Sequence, residues 1–337
     1  MKTKFTILAI IFLLGLAGIF YLHQAQGEPP HREELNTSGD KKSTEPSYHP
    51  ELSLQALGQM EFNGRDLQLG RVLDNNSAYT RYYVEYKSGG LTISGIMNVP
   101  KGDGPFPVLI LNHGYIDPAI YTNGRGLKRE QDYFARRGYV VIHPDYRNHA
   151  FSSDTVHEDK RFRFGYAEDV INAIYAVQES ELEFFDKDNI GMLGHSMGGG
   201  VALKIMTSNP NLVDAVSLYA PVSSVAWDNF QQWTVDREEI AQEILDTRGT
   251  PEENPEFWAN ISPINFLDKT KAPVILHHGT ADADVPIAWS DKLDKAMENE
   301  GKVITYYIYE GGPHEFINEW PLFMQRNLEF FNEHLKN

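Results

Sequence analysis

No cysteine occurs in the 337 residues. That excludes disulfides, thiolate metal sites, a cysteine nucleophile and a lipid-modified N-terminal cysteine, so a protein nucleophile must be an oxygen or a lysine. Positive charge is scarce as well. Thirty Lys plus Arg stand against 47 Asp plus Glu, a formal net charge of −17, which repels phosphate backbones and anionic lipid heads alike. Nucleic acid is therefore set aside as a partner. Internal repeats and low-complexity blocks are missing after residue 50, which leaves out solenoids and arrays. What remains is a chain with 41% hydrophobic side chains, long enough for one large core.

The N-terminus differs from the rest. Lys2 and Lys4 precede Phe5 to Leu22 (FTILAIIFLLGLAGIFYL), an uncharged run that as a helix reaches roughly 27 Å, near the hydrocarbon thickness of a bilayer. Residues 1–26 thus read as a signal or anchor segment, with the N-terminus cytoplasmic and the rest extracytoplasmic. Ala25 and Gly27 leave open cleavage and release. Residues 27–50 (GEPPHREELNTSGDKKSTEPSYHP) carry four prolines, many charges and one aromatic residue, and read as a flexible tether. The folded domain is expected over residues 51–337.

Within it, Tyr79 to Lys87 and Leu91 to Val99 flank Ser88-Gly89-Gly90 as an antiparallel hairpin. Short apolar runs then alternate with helical periods. The runs are Val108 to Asn112, Tyr139 to His143, Ile190 to Gly194, Ala215 to Tyr219, Val274 to His278 and Val303 to Tyr309. Helices are expected near 127–137, 166–179, 198–207, 287–299 and 322–335. This order predicts an α/β fold with a doubly wound, mainly parallel sheet, in which ligands bind beyond the carboxyl ends of the strands.

At those ends lie His113-Gly114-Tyr115, Gly194-His195-Ser196-Met197-Gly198, Gly279-Thr280-Ala281-Asp282-Ala283-Asp284 and Gly311-Gly312-Pro313-His314. The second matches G-x-S-x-G, a strand-to-helix elbow whose flanking glycines let a strained turn pack against its neighbours. A serine hydroxyl needs a base to take its proton, and the base needs an acid to orient it. Ser196 is accordingly the candidate nucleophile. His314 is the base, because it alone of the later histidines falls in a loop after the last strand. Asp282, nearer its strand, is favoured as the acid, with Asp284 as the alternative. A metal reading of His277, His278, Asp282 and Asp284 is disfavoured, since strand alternation turns the two histidines to opposite faces.

An oxyanion needs two preorganised donors. The Met197 N–H is one by construction of the elbow, and an N–H at Gly114 or Tyr115 is the second. Tyr115 could alternatively offer its hydroxyl or pack beneath the loop. Residues 222–265, with Trp227, Phe230, Trp233 and Trp258, form a small insertion that is either a lid and pocket wall or a satellite core. Trp227 and Trp233 are its candidate substrate contacts.

The segments YAEDVINAIYAVQES, FFDKDNIGMLGHSMGGG, HHGTADADVP and EGGPHEF resemble the α/β-hydrolase catalytic domain of the prolyl oligopeptidase family and its esterase-like relatives, from about residue 80 onward. The resemblance implies an α/β-hydrolase fold and a Ser196-Asp282-His314 triad. Two departures stand out. The propeller that filters substrates in full-length members has no counterpart in the roughly 50 residues between the apolar segment and the first strands. His113 occupies the place where prolyl-specific members carry tyrosine, a pattern closer to acylaminoacyl peptidases and esterases. TVDREEIAQEILD offers no clear acidic pair for reading a peptide N-terminus.

The expectation is a serine hydrolase that cleaves an ester or a short peptide through an acyl-enzyme, with no cofactor and no metal, touching membrane only through its N-terminal segment. A non-catalytic scaffold that binds a ligand, or an acyltransferase on the same triad, is the alternative.

Overall fold

The computed structural model describes residues 52–336. The expected anchor (1–26) and tether (27–50) lie outside the described residues. Among those described, no helix is long and apolar enough to cross a membrane.

The chain opens with α1 (Leu54–Gln59), whose first turn is capped by the Ser53 hydroxyl accepting from the Ala56 N–H. Three strands follow: β1 (Arg65–Asn75), β2 (Tyr79–Ser88) and β3 (Leu91–Pro100). Ser88 pairs with Leu91, so Gly89-Gly90 is a two-residue turn, and Gly89 takes the positive φ (59°) such a turn demands. The expected hairpin is thus part of a three-stranded antiparallel meander. β1 escapes a sequence reading because RDLQLGRVLDN is mostly exposed and its register with β2 shifts three times, which erases the period-2 signal.

Next come β4 (Phe106–Asn112), α2 (Lys128–Ala135), β5 (Val140–Pro144), α3 (Phe164–Glu179), β6 (Phe185–His195), α4 (Met197–Ser208) and β7 (Ala215–Tyr219). The segment 222–265 supplies three helices, α5 (Ala226–Trp233), α6 (Glu238–Arg248) and α7 (Pro255–Asn260). The fold closes with β8 (Val274–Gly279), α8 (Ile287–Asn299), β9 (Ile304–Tyr309) and α9 (Trp320–Leu335). Nine strands make one sheet in the order β1-β2-β3-β5-β4-β6-β7-β8-β9. Pairs from β5 through β9 are parallel, and β3 joins β5 antiparallel.

Apolar runs in β4 to β8 are buried throughout, because helices cover both faces. One core cluster packs α3, α4 and the segment 222–267 against the sheet, and another packs α2 and α9. The strand order reverses between β4 and β6, since β5 lies on one side of β4 and β7 on the other side of β6. The carboxyl ends of β4 and β6 consequently bound a crevice at the switch point, where such sheets bind ligands.

Candidate active site

Ser196 stands between the last residue of β6 and the first of α4, with φ 54° and ψ −118°, a conformation that L-residues adopt only under constraint. The constraint is visible. Its N–H donates to the Tyr219 carbonyl at 2.9 Å, and its own carbonyl accepts from the Gly199, Gly200 and Val222 N–H groups. The glycines around it are required by contact. A Cβ on Gly194 would sit 2.4 Å from the Gly198 carbonyl oxygen, and one on Gly198 would sit 2.0 Å from the Asn112 carbonyl oxygen. The elbow is therefore wedged against the end of β4. Gly114, just past that strand, lies so near that its Cβ would be 3.2 Å from the Ser196 Cβ.

Asp282 and His314 come from the loops after β8 and β9, which are paired neighbours. His314 Nδ1 donates to Asp282 Oδ2 at 2.7 Å. The same oxygen lies 3.1 Å from His278 Nε2, while Oδ1 accepts from the Asp284 and Val285 N–H groups at 2.9 and 2.8 Å. Burial alone would raise this carboxyl. The donors from His278, His314 and Val285 outweigh it and hold the group far below the ordinary carboxylate range. Asp284 itself is exposed and supplies only its N–H to this cluster. Asp282, Asp284 and His314 bring three donor atoms within 4.8 Å, yet both Asp282 oxygens are already occupied by two hydrogen donors each.

Residues beyond the expected set hold this arrangement. His278, buried at the end of β8, shares its Nε2 hydrogen between Asp282 and the Val285 carbonyl, and its Nδ1 lies 2.7 Å from the Ser290 Oγ. His277 faces the other way, toward the Tyr309 hydroxyl and Asn327, as strand alternation requires. His195 adjoins Ser196 in the chain and contacts His314. Its Nε2 faces the His314 carbonyl at 3.3 Å and its ring packs 4.7 Å from the His314 ring. Burial, with His314 adding to it, pushes the His195 imidazole down to about 3, so it stays neutral beside His314. Tyr219 takes the Phe316 N–H on its hydroxyl, which ties the His314 loop to the end of β7. A histidine four residues before Asp282, and one inside the elbow, were the available sequence signals for His278 and His195.

His113 is fully buried and stacks on Tyr121, His143 and Tyr146. Its Nδ1 lies 2.7 Å from the Gly114 carbonyl oxygen, and burial followed by His149 pushes its imidazole down to about 3. A neutral ring donating from Nδ1 fixes the Gly114–Tyr115 peptide. Because C=O and N–H point oppositely across a trans peptide, the Tyr115 N–H then faces away from His113. The Tyr115 side chain is 59% exposed with Arg163 5.2 Å over its ring, so it does not pack beneath the loop.

The insertion 222–265 does both things considered for it. Phe230, Ile244 and Trp258 are buried and join the main core, while Phe230 and Trp233 wall a cleft of about 730 Å3, open mouth included, that begins at Met197. Trp227 departs from expectation. It stacks on Phe230 at 4.9 Å and meets Trp258 edge-on, so it backs the wall instead of facing the cleft.

A model described as the prolyl oligopeptidase family matches residues 125–337. The chain belongs to the prolyl oligopeptidase family. It is 26% identical over 246 residues to the uncharacterized peptidase YtmA of Bacillus subtilis (strain 168), covering 70% of this chain and 86% of that one. Against dipeptidyl aminopeptidase BIII of Pseudoxanthomonas mexicana it is 25% identical over 229 residues, covering 65% of this chain and 32% of the relative, so it spans about a third of that enzyme. In fold it resembles the acylaminoacyl peptidase of Pyrococcus horikoshii (TM-score 0.63, 24% identity, 77% of this chain and 42% of that one). It also resembles the acetyl xylan esterase of Paenibacillus sp. R4 (TM-score 0.64, 19% identity, 84% and 92%). The fold is that of the α/β-hydrolases, and this member of the prolyl oligopeptidase family is a serine hydrolase.

Proposed function

We propose that the protein cleaves carboxylic esters or short peptides through an acyl-enzyme built on Ser196, His314 and Asp282. The observation that carries this reading is the 2.7 Å His314–Asp282 hydrogen bond at the strand ends beside a serine held in a strained elbow. His314 Nδ1 is committed to Asp282, which leaves Nε2 to take the Ser196 proton as Oγ attacks the carbonyl carbon. The resulting oxyanion is received by the Met197 N–H and the Tyr115 N–H, the latter turned outward by the His113–Gly114 contact. Gly114 serves that loop by its smallness. The imidazolium then protonates the leaving group, water attacks the acyl-enzyme with His314 again as base, and Ser196 is regenerated.

Ser196→Ala tests this. Wild-type protein should be labelled by a fluorophosphonate and should turn over 4-nitrophenyl acyl esters or aminoacyl 4-nitroanilides, and the variant should do neither. Turnover persisting in purified Ser196→Ala would sink the assignment. Which chromogenic series responds separates esterase from peptidase. The Lys2/Lys4 pair followed by the apolar segment 5–22 supports an extracytoplasmic catalytic domain tethered to a membrane. Protease accessibility of the domain in intact cells checks it, and a domain protected until lysis would refute it.

A further inference from the structure

The cleft beside the nucleophile has a chemical character that the triad does not explain. Met197, Gly200, Val201 and Lys204 line it from one face of α4, at the i, i+3, i+4, i+7 spacing that stacks side chains along a helix. Phe230, Trp233, Asp159 and Arg163 line it as well. No carboxylate lies within ion-pair distance of Lys204 among the described residues; its ammonium rests 5.6 Å over the Phe164 ring. Arg163 has Asp159 at 3.7 Å, but that carboxylate is held more closely by Arg237 at 2.8 Å. Two cations thus line the cleft with one acid that is already engaged, in a chain of net charge −17. Burial pushes the Lys204 amine down to about 8, with Arg163 adding to the effect, which marks a cation lacking a partner.

The cleft also has a definite side. None of its lining residues comes from the Asp282 or His314 loops. A leaving group must reach the proton on His314, so it departs toward those loops, and the acyl part of the substrate is left to enter the cleft. Lys204 lies two helical turns beyond Met197, roughly 10 Å along the axis, and its side chain leans back toward the helix N-terminus. Its ammonium is therefore within reach of a group about four to five bonds from the scissile carbonyl.

We propose that this cleft selects substrates whose acyl part carries a carboxylate at that distance, as in a glutamyl residue or a dicarboxylic acid half-ester, with Lys204 as its main partner and Arg163 as a second cation of the lining. The inference rests on the hydrolase reading above and names its substrate class.

The test compares matched pairs: acetyl-Glu against acetyl-Gln 4-nitroanilide, and the 4-nitrophenyl ester of adipic acid with one carboxyl free against that of monomethyl adipate. In wild type kcat/KM should favour the anionic member. The anionic-to-neutral ratio should fall about tenfold or more in Lys204→Met, the scale of one charge-assisted hydrogen bond, and be largely kept in Lys204→Arg. A ratio taken within one variant is insensitive to the fraction folded. Free adipate should also slow fluorophosphonate labelling of Ser196 more than adipamide does, a readout that needs no turnover. A wild-type ratio at or below one, a ratio unmoved by Lys204→Met, or equal protection by the two compounds would overturn the assignment. Failure of wild type to label at Ser196 would instead overturn the hydrolase reading, and this inference with it.

Discussion

Asp282 accepts four hydrogen bonds, two on each oxygen, which favours it over Asp284 as the acid of the proposed triad. Asp284 offers a backbone N–H to the cluster while its side chain faces solvent. Replacing Asp282 by Asn inverts one acceptor into a donor and removes the charge that steadies the His314 imidazolium. The expected result is a fall in kcat of about a thousand-fold or more, with Asp284→Asn within a few-fold of wild type. Steady-state kinetics on both variants checks this, and the reverse ranking would reassign the acid. His278, by contrast, was not legible as a site residue. Nothing in an apolar strand ending HHG distinguishes a histidine that holds an aspartate from one that packs against a tyrosine, until the strand's two faces are known.

At the scale of the element, the β6–α4 elbow shows why local sequence was so informative. Its glycines meet backbone, and backbone cannot rotate aside. Gly198→Ala would place a Cβ 2.0 Å from the Asn112 carbonyl oxygen, so it should cost at least the upper end of the about 1–3 kcal/mol typical of overpacking. Gly90→Ala, where an added Cβ meets nothing within 4 Å, should stay within about 0.5 kcal/mol of wild type. Urea midpoints of the two proteins provide the comparison, and equal midpoints would show that the elbow relaxes. The insertion 222–265 was less readable. Its aromatic residues announced packing, but Trp227 and Trp233 look alike in sequence, and only the way α5 lies against α7 sends one to the wall's back and the other to the cleft.

Over the whole molecule, buried histidines couple stability to pH. His113 and His195 are pushed down to about 3, and His143 and His277 well below the ordinary value, in each case chiefly by burial. These groups are neutral when folded, whereas an unfolded chain protonates them near pH 6.5. Their contribution is complete above that value and is lost as pH falls below it, at about 1.4 kcal/mol per pH unit for each. The buried carboxyls Glu130, Asp145 and Glu158, raised chiefly by burial, work in the opposite direction, so the net loss is smaller than the sum. Stability should drop by on the order of a few kcal/mol between pH 7 and pH 5. Denaturant titrations at several pH values measure it, and a flat profile over that interval would mean that the histidines gain protons without unfolding.

The strand-helix alternation, the elbow at Ser196 and the chain order of serine, acid and histidine were fixed by local chemistry: apolar runs of strand length, glycines that permit one turn, and polar residues stranded where those runs end. Such features need no knowledge of distant neighbours. The antiparallel β1, the hydrogen bonds that favour Asp282, the contacts of His195 and His278, and a Lys204 that lines the cleft with no carboxylate in ion-pair distance among the described residues belong to the tertiary structure. Each depends on contacts between segments tens of residues apart or on which face of an element is buried, and a linear sequence does not contain that information until the sheet order brings those segments together.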